Sequence, residues 1–124
     1  MSSTAASRAI CLGAALMGAA GVALGAMGAH LPNASNLSVA SSFLLFHAPA
    51  LLALEAANGR SRLRTAGELA MLVGSILFSG ALALDSLTTV KISPSPAPFG
   101  GVLLIFGWLL VGASFLVRRG KPGA

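Results

Sequence analysis

Four long apolar stretches, residues 9–29, 39–57, 66–84 and 99–117, alternate with short polar segments along the chain. Each is close to the roughly 20 residues that a helix needs to cross a 30 Å hydrocarbon core. In the first stretch Ala14, Gly18, Gly21, Gly25 and Gly28 recur at alternating steps of four and three, which places them on one helical stripe. Such a stripe weakens a helix in water, because each interior glycine costs about 1 kcal/mol against alanine. In a bilayer the backbone must bond within its own segment, and small side chains let a neighbouring helix come close. The same signal recurs on the third stretch at Gly67, Ala70, Gly74 and Ala81, and on the fourth at Gly100, Gly107 and Ser114. Gly18, Gly21, Gly25, Gly28, Gly74, Gly100 and Gly107 are therefore read as helix-packing positions. The opposite face of the first helix, Ala19, Ala23 and Ala26, is also small, which predicts a central place for that helix in the bundle.

The links carry their own signals. Residues 1–7 read as a disordered Ser/Ala-rich tail. Pro32, Asn33, Ser35 and Asn36 predict that the first helix stops near His30. Asn58-Gly59 reads as the C-cap of the second helix, and Thr65 with Glu68 as a capping box opening the third. The run Ser93-Pro94-Ser95-Pro96-Ala97-Pro98 predicts extended, polyproline-like backbone before the fourth helix. Short links place successive helices side by side and antiparallel. The predicted fold is an all-α integral membrane protein: one domain over residues 1–124, a bundle of four transmembrane helices.

Composition agrees with this. Of the 124 residues 56% are hydrophobic and only 9% charged, against about 25% charged in soluble domains. The net charge of +5 does not point to nucleic acid, because of where the charges lie. Arg8, Arg60, Arg62, Arg64, Arg118, Arg119 and Lys121 fall on one side of the alternating spans, and Lys91 alone on the other. By the positive-inside rule both termini are cytoplasmic. The first stretch is longer than the roughly 7–15 apolar residues of a signal-peptide core, so it reads as a span. Cys11 is the single cysteine, which rules out an internal disulfide and reads as an inert apolar side chain.

Ionisable groups inside spans are functional candidates, since stranding a charge there costs at least about 2.5–3.5 kcal/mol. His47 lies near the middle of the second span, on the order of 12 Å from the outer boundary. Pro49 follows it and deprives the Leu45 carbonyl of its donor, which offers the imidazole an acceptor. The bland alternative is a neutral histidine acting as hydrogen-bonded glue between helices. His30 and Asp85 end the first and third helices at similar depth, where a contact is geometrically open. Glu55 and Glu68 lie near the arginine-rich link and read as snorkelling ion pairs. Glu68, Ser75 and Ser79 share a face. Trp108, well inside its span, reads as a packing residue. His47, His30, Asp85 and Ser79 are thus the ligand or polar-network candidates. No catalytic motif, phosphate loop or paired cysteine appears, so the reading is not of an enzyme and names no metal or cofactor. A membrane enzyme stays open only as a third alternative, needing a nucleophile or metal site in a cavity at His47.

Five motifs in order, spread over all four spans, resemble a known family. They are Gly25-Ala26-Met27-Gly28-Ala29-His30, Phe46-His47-Ala48, Leu77-Phe78-Ser79-Gly80, Pro98-Phe99-Gly100-Gly101 and Gly107-Trp108. The chain is similar to the YgdD-like small membrane proteins, domain of unknown function family 423. The resemblance implies an inner-membrane location and no established activity, and it marks His30, His47, Ser79, Gly80, Pro98, Gly100, Gly101 and Trp108. Relatives often carry Tyr-Gln ahead of the mid-membrane histidine, where this chain has Phe43 and Leu44. The expected function is a structural or accessory membrane protein that binds a membrane partner or lipid. The alternative is a small-molecule, ion or proton carrier or channel using His47. Expected partners are the lipid bilayer and a homo-oligomer or larger membrane complex.

Overall fold

The computed structural model describes residues 3–117, all of whose regular structure is helical: α1 (Ser3–His30), α2 (Ser35–Ala56), α3 (Arg62–Leu87) and α4 (Ala97–Val117). All four are long and apolar enough to cross a membrane. Arg118, Arg119 and Lys121, which the charge argument used, lie outside the described residues.

The helix ends follow local chemistry. Leu31 N–H bonds the Met27 carbonyl at 2.9 Å and closes the last turn of α1. Asn33 then turns the chain at φ 54°, a left-handed conformation that asparagine tolerates better than most residues. Helix α2 is capped by Ala57 in extended backbone and not, as expected, by Asn58-Gly59; Gly59 turns the chain two residues later at φ 86°. Pro98 sits in the first turn of α4, where a missing N–H costs nothing.

Several expectations are corrected here. The first helix begins at Ser3, so the tail read as disordered is helical from that residue. The N-cap of α3 is Ser61, whose hydroxyl accepts from Arg64 N at 3.1 Å, and Thr65 is already helical. Helix α4 starts at Ala97, inside the run expected to be extended. The first helix is not central. Helix α1 packs on α2 and touches α3 lightly, α2 packs on α3, and α3 packs on α4. Neither α1 nor α2 meets α4 along its backbone among the described residues, so α2 and α3 form the middle and α1 and α4 the flanks. Ala19, Ala23 and Ala26 are consequently exposed.

The glycine stripe of α1 lies against α2. A Cβ added at Gly21 would meet Leu45 at 2.8 Å, one at Gly25 the Ser41 hydroxyl at 2.8 Å, and one at Gly28 the Ser38 hydroxyl at 2.8 Å. Between α3 and α4 the approach is backbone to backbone. A Cβ at Gly67 would lie 2.8 Å from the Gly107 carbonyl, and one at Gly74 2.8 Å from the Gly100 carbonyl. The apolar core joins all four helices through Ile10, Met17, Leu44, Leu51, Met71 and Leu104.

The surface is the reverse of a soluble protein's. Leu16, Val22, Phe46, Ile105, Leu109 and Leu116 are exposed, while Ser41, His47, Arg64, Glu68, Ser75, Ser79 and Ser114 are buried. A chain that exposes leucine and buries arginine and glutamate is arranged for hydrocarbon outside.

Candidate functional site

His47 projects from α2 toward α4 and is 7% exposed. Its Nδ1 lies 2.7 Å from the Phe43 carbonyl, one turn back on its own helix. Its Nε2 receives the Trp108 indole N–H at 3.0 Å. A carbonyl can only accept and an indole N–H can only donate, so Nδ1 carries the proton and Nε2 presents a lone pair. The imidazole is the neutral tautomer with both nitrogens in use. The acceptor is Phe43 and not the Leu45 carbonyl that Pro49 was expected to release; α2 runs helically past Pro49.

Around this pair the rings form a small cluster. Phe43 and Phe78 have centroids 4.3 Å apart, and His47 and Trp108 are 5.8 Å apart. Because α2 and α4 do not touch along their backbones, a groove of about 520 Å³ opens between them over α3. Trp108 stands at its rim, 45% exposed. It is a tie between two helices that share no backbone contact, and more than a packing residue. A tryptophan within a span needs an acceptor for its one donor, and a histidine two spans away could have supplied that signal in the sequence.

The four candidate residues do not converge. His30 is exposed at the end of α1, and no hydrogen bond or ion pair to it is found among the described residues. Asp85 pairs with Lys91 at 2.6 Å instead of with His30. Ser79 donates to the Ala40 carbonyl at 3.0 Å, joining α3 to α2. It also borders a second, almost wholly apolar groove of about 310 Å³ between α1 and α3, beside Leu16, Met17 and Gly80.

The densest polar cluster lies where α2 turns into α3. Arg60 holds the Glu55 carboxylate with Nη2 at 2.7 and 2.9 Å, and its Nη1 is 3.7 Å from Glu68. Arg64 reaches Glu68 at 3.7 Å through Nε. Its Nη1 donates to the Asn58 carbonyl at 3.2 Å, just past the C-terminal end of α2. Ser7 of α1 donates to Glu55. Two arginines balance two glutamates, as the sequence led one to expect. For Arg64 and Glu68 the expected snorkelling does not occur, since they are 1% and 0% exposed. Arg60 alone of the four keeps a sizeable share of its side chain, 24%, at the surface. Both Glu68 oxygens and the Ser75 hydroxyl, about two turns apart on one face of α3, are buried without a close hydrogen bond, the arginines standing 3.7 Å from Glu68.

Comparison with known proteins decides the family. The model of the family described as "Protein of unknown function (DUF423)" matches residues 24–101. The chain belongs to this family. The YgdD inner membrane protein of Escherichia coli K12 is 34% identical over 92% of this chain and 95% of its own length. The membrane protein SSP2132 of Staphylococcus saprophyticus is 38% identical over 73% of this chain and 82% of its own. SAB0533 of Staphylococcus aureus is 36% identical over 58% and 60%. No solved structure matches. These relatives are named as membrane or inner membrane proteins, and with four spanning helices this DUF423 member is a multi-pass inner-membrane protein. The matched region contains His30, His47, Ser79 and Asp85 but ends before Trp108.

Proposed function

We propose that this DUF423 protein is a structural or accessory component of the membrane, one that works by offering apolar faces and grooves to lipid or to a membrane partner. The observation that carries this reading is the use made of its polar groups. Both His47 nitrogens are taken up internally, Ser41 and Ser79 tie neighbouring helices, and the glutamates face arginines. What remains outside is large, apolar and grooved. Its test is photo-crosslinking in native membranes from a reactive side chain placed at Leu16, in the α1/α3 groove, with Leu116 as the lipid-facing control. A discrete adduct from Leu16 that Leu116 does not give is the expected result. Identical smears from both positions overturn it.

Both termini are proposed to face the cytoplasm, on the strength of the basic residues gathered on one side of the spans. A phosphatase fused after Ala124 should be inactive, and a fluorescent protein at the same point bright; the opposite pattern refutes the orientation.

A carrier reading has one specific support, which is not His47 but the full burial of Glu68 and of the unpartnered Ser75 hydroxyl on one face of α3. Buried groups of this kind mark proton or ion paths in membrane proteins. Glu68→Gln in reconstituted vesicles separates the two readings: a flux lost with this change favours the carrier, and no flux in the unaltered protein removes it.

A further inference from the structure

The groove between α2 and α4 has the features of a ligand site. It is concave, of about 520 Å³, and lined by the rings of Phe43, His47, Phe78 and Trp108 with Gly101 and Ile105 beside them. That volume lies within the range of roughly 300–1,000 Å³ usual for small-molecule sites. Its lining runs from Pro98, in the first turn of α4, to His47 and Trp108. Val102, Ile105 and Trp108 along it are exposed side chains of a helix apolar enough to span a membrane, so the compound that suits it is one soluble in the bilayer. Flat rings on the walls favour a flat ring in the groove, by offset or edge-to-face stacking.

The polar pair sets a finer condition. His47 is anchored by its Nδ1–H on the Phe43 carbonyl, so Nε2 can only accept. Trp108 can only donate. At present each satisfies the other at 3.0 Å. A group that inserts between them without leaving either unpaired must accept from the indole and donate to the imidazole at once. A hydroxyl does this. A carbonyl or an ether oxygen accepts from Trp108 but leaves the Nε2 lone pair buried and unmet, a loss that buried polar groups resist. Insertion needs the two nitrogens to part to about 5 Å, the span of two successive hydrogen bonds. Trp108, at the rim and 45% exposed, is the less enclosed and more lightly held of the two, whereas His47 is 7% exposed and doubly bonded.

We infer that this groove binds a membrane-dissolved ring compound bearing a hydroxyl, a phenol or a quinol, with the hydroxyl bridging Trp108 Nε1 and His47 Nε2. A ligand here needs no protein partner, so failure of the crosslinking from Leu16 leaves it standing.

The test uses the only tryptophan in the chain. Its indole N–H gives a single resonance in the full-length protein in lipid nanodiscs, titrated in parallel with 4-dodecylphenol, 4-dodecylanisole and dodecylbenzene. The phenol should shift the resonance saturably. The methyl ether should need about tenfold more for half-saturation, the factor for one hydrogen bond left unmade, and the alkylbenzene should not saturate. Equal responses to all three, or none, overturn the site, and this series needs no altered chain. Gly101→Leu then fills the groove; a Cβ there meets the Phe78 ring at 3.8 Å, an ordinary contact. That variant should keep the unliganded indole resonance and lose the phenol shift. Unchanged phenol binding in Gly101→Leu would place the ligand elsewhere and overturn the assignment. In His47→Phe the phenol and its ether should bind alike.

Discussion

The two glycine seams of the bundle use the same residue for different ends. Between α1 and α2, glycines face side chains: Gly21 meets Leu45, Gly25 meets Ser41, and Gly28 meets Ser38. At Gly21 and Gly25 the nearest atoms belong to side chains that can rotate, and Ser41 uses the space to donate to the Gly21 carbonyl at 2.6 Å. Only at Gly28 does backbone, the Ser38 N, also come within 3.2 Å of the added Cβ. Between α3 and α4, the same absence of a side chain lets backbones touch. A Cβ on Gly100 would lie 2.5 Å from Phe78 N and 2.8 Å from the Gly74 carbonyl, and neither can move without shifting its helix. The first seam is therefore adjustable and the second rigid. A row of small residues announces close packing in both cases, yet the tolerance of each row depends on what stands opposite.

Gly100→Ala tests the rigid seam hardest. It should cost about 3 kcal/mol or more, or prevent α3 and α4 from pairing, as overpacking against immovable atoms does. Thermal unfolding in mild detergent measures it. Gly25→Ala should cost about 1 kcal/mol, because the Ser41 hydroxyl must turn away and surrender its bond. In a Ser41→Ala background most of that cost should vanish, a coupling that a double-mutant cycle isolates. If Gly25→Ala proves as damaging as Gly100→Ala, the two seams are alike and the distinction fails. Ser79→Ala removes one interhelical bond from α3 to α2 and should lower stability by about 0.6 kcal/mol in the same assay. Gly18→Ala should be the mildest. Its new Cβ finds only the Ala48 Cβ at 3.9 Å, so the melting point should stay level or rise slightly, with the gain coming from the helix propensity of alanine.

Much of the architecture was legible because it rests on short-range rules. Length and apolarity announce a span whatever surrounds it, and Pro32 with Asn33 ends α1 by local backbone geometry alone. Two of the misreadings share a cause: each concerned a choice between locally equivalent options. Ser61 and Thr65 are both acceptable N-caps, and the helix begins at whichever lets Arg64 and Glu68 lie inward against the end of α2. Ala19, Ala23 and Ala26 are only one methyl larger than the glycines across the helix, so nothing local says that this side stays open. His47 was visible as a mid-span histidine, but its partner Trp108 is 61 residues away. The sequence shows a mid-span donor in need of an acceptor, but spacing alone does not say which polar group on another span it finds.

What the sequence determined by itself, then, is the material: four apolar helices, glycine rows for close approach, and a few polar groups that hydrocarbon forces inward. Those follow from the cost of exposing backbone and charge to lipid, which acts on each segment separately. Only the tertiary structure decided the neighbours. It set α2 and α3 in the middle, turned the α1 glycines toward side chains and the α3 and α4 glycines toward backbone, and left a ring-lined groove bridged by His47 and Trp108. Those outcomes depend on how four stripes fit together at once, and packing is a property of the set of helices, not of any one of them.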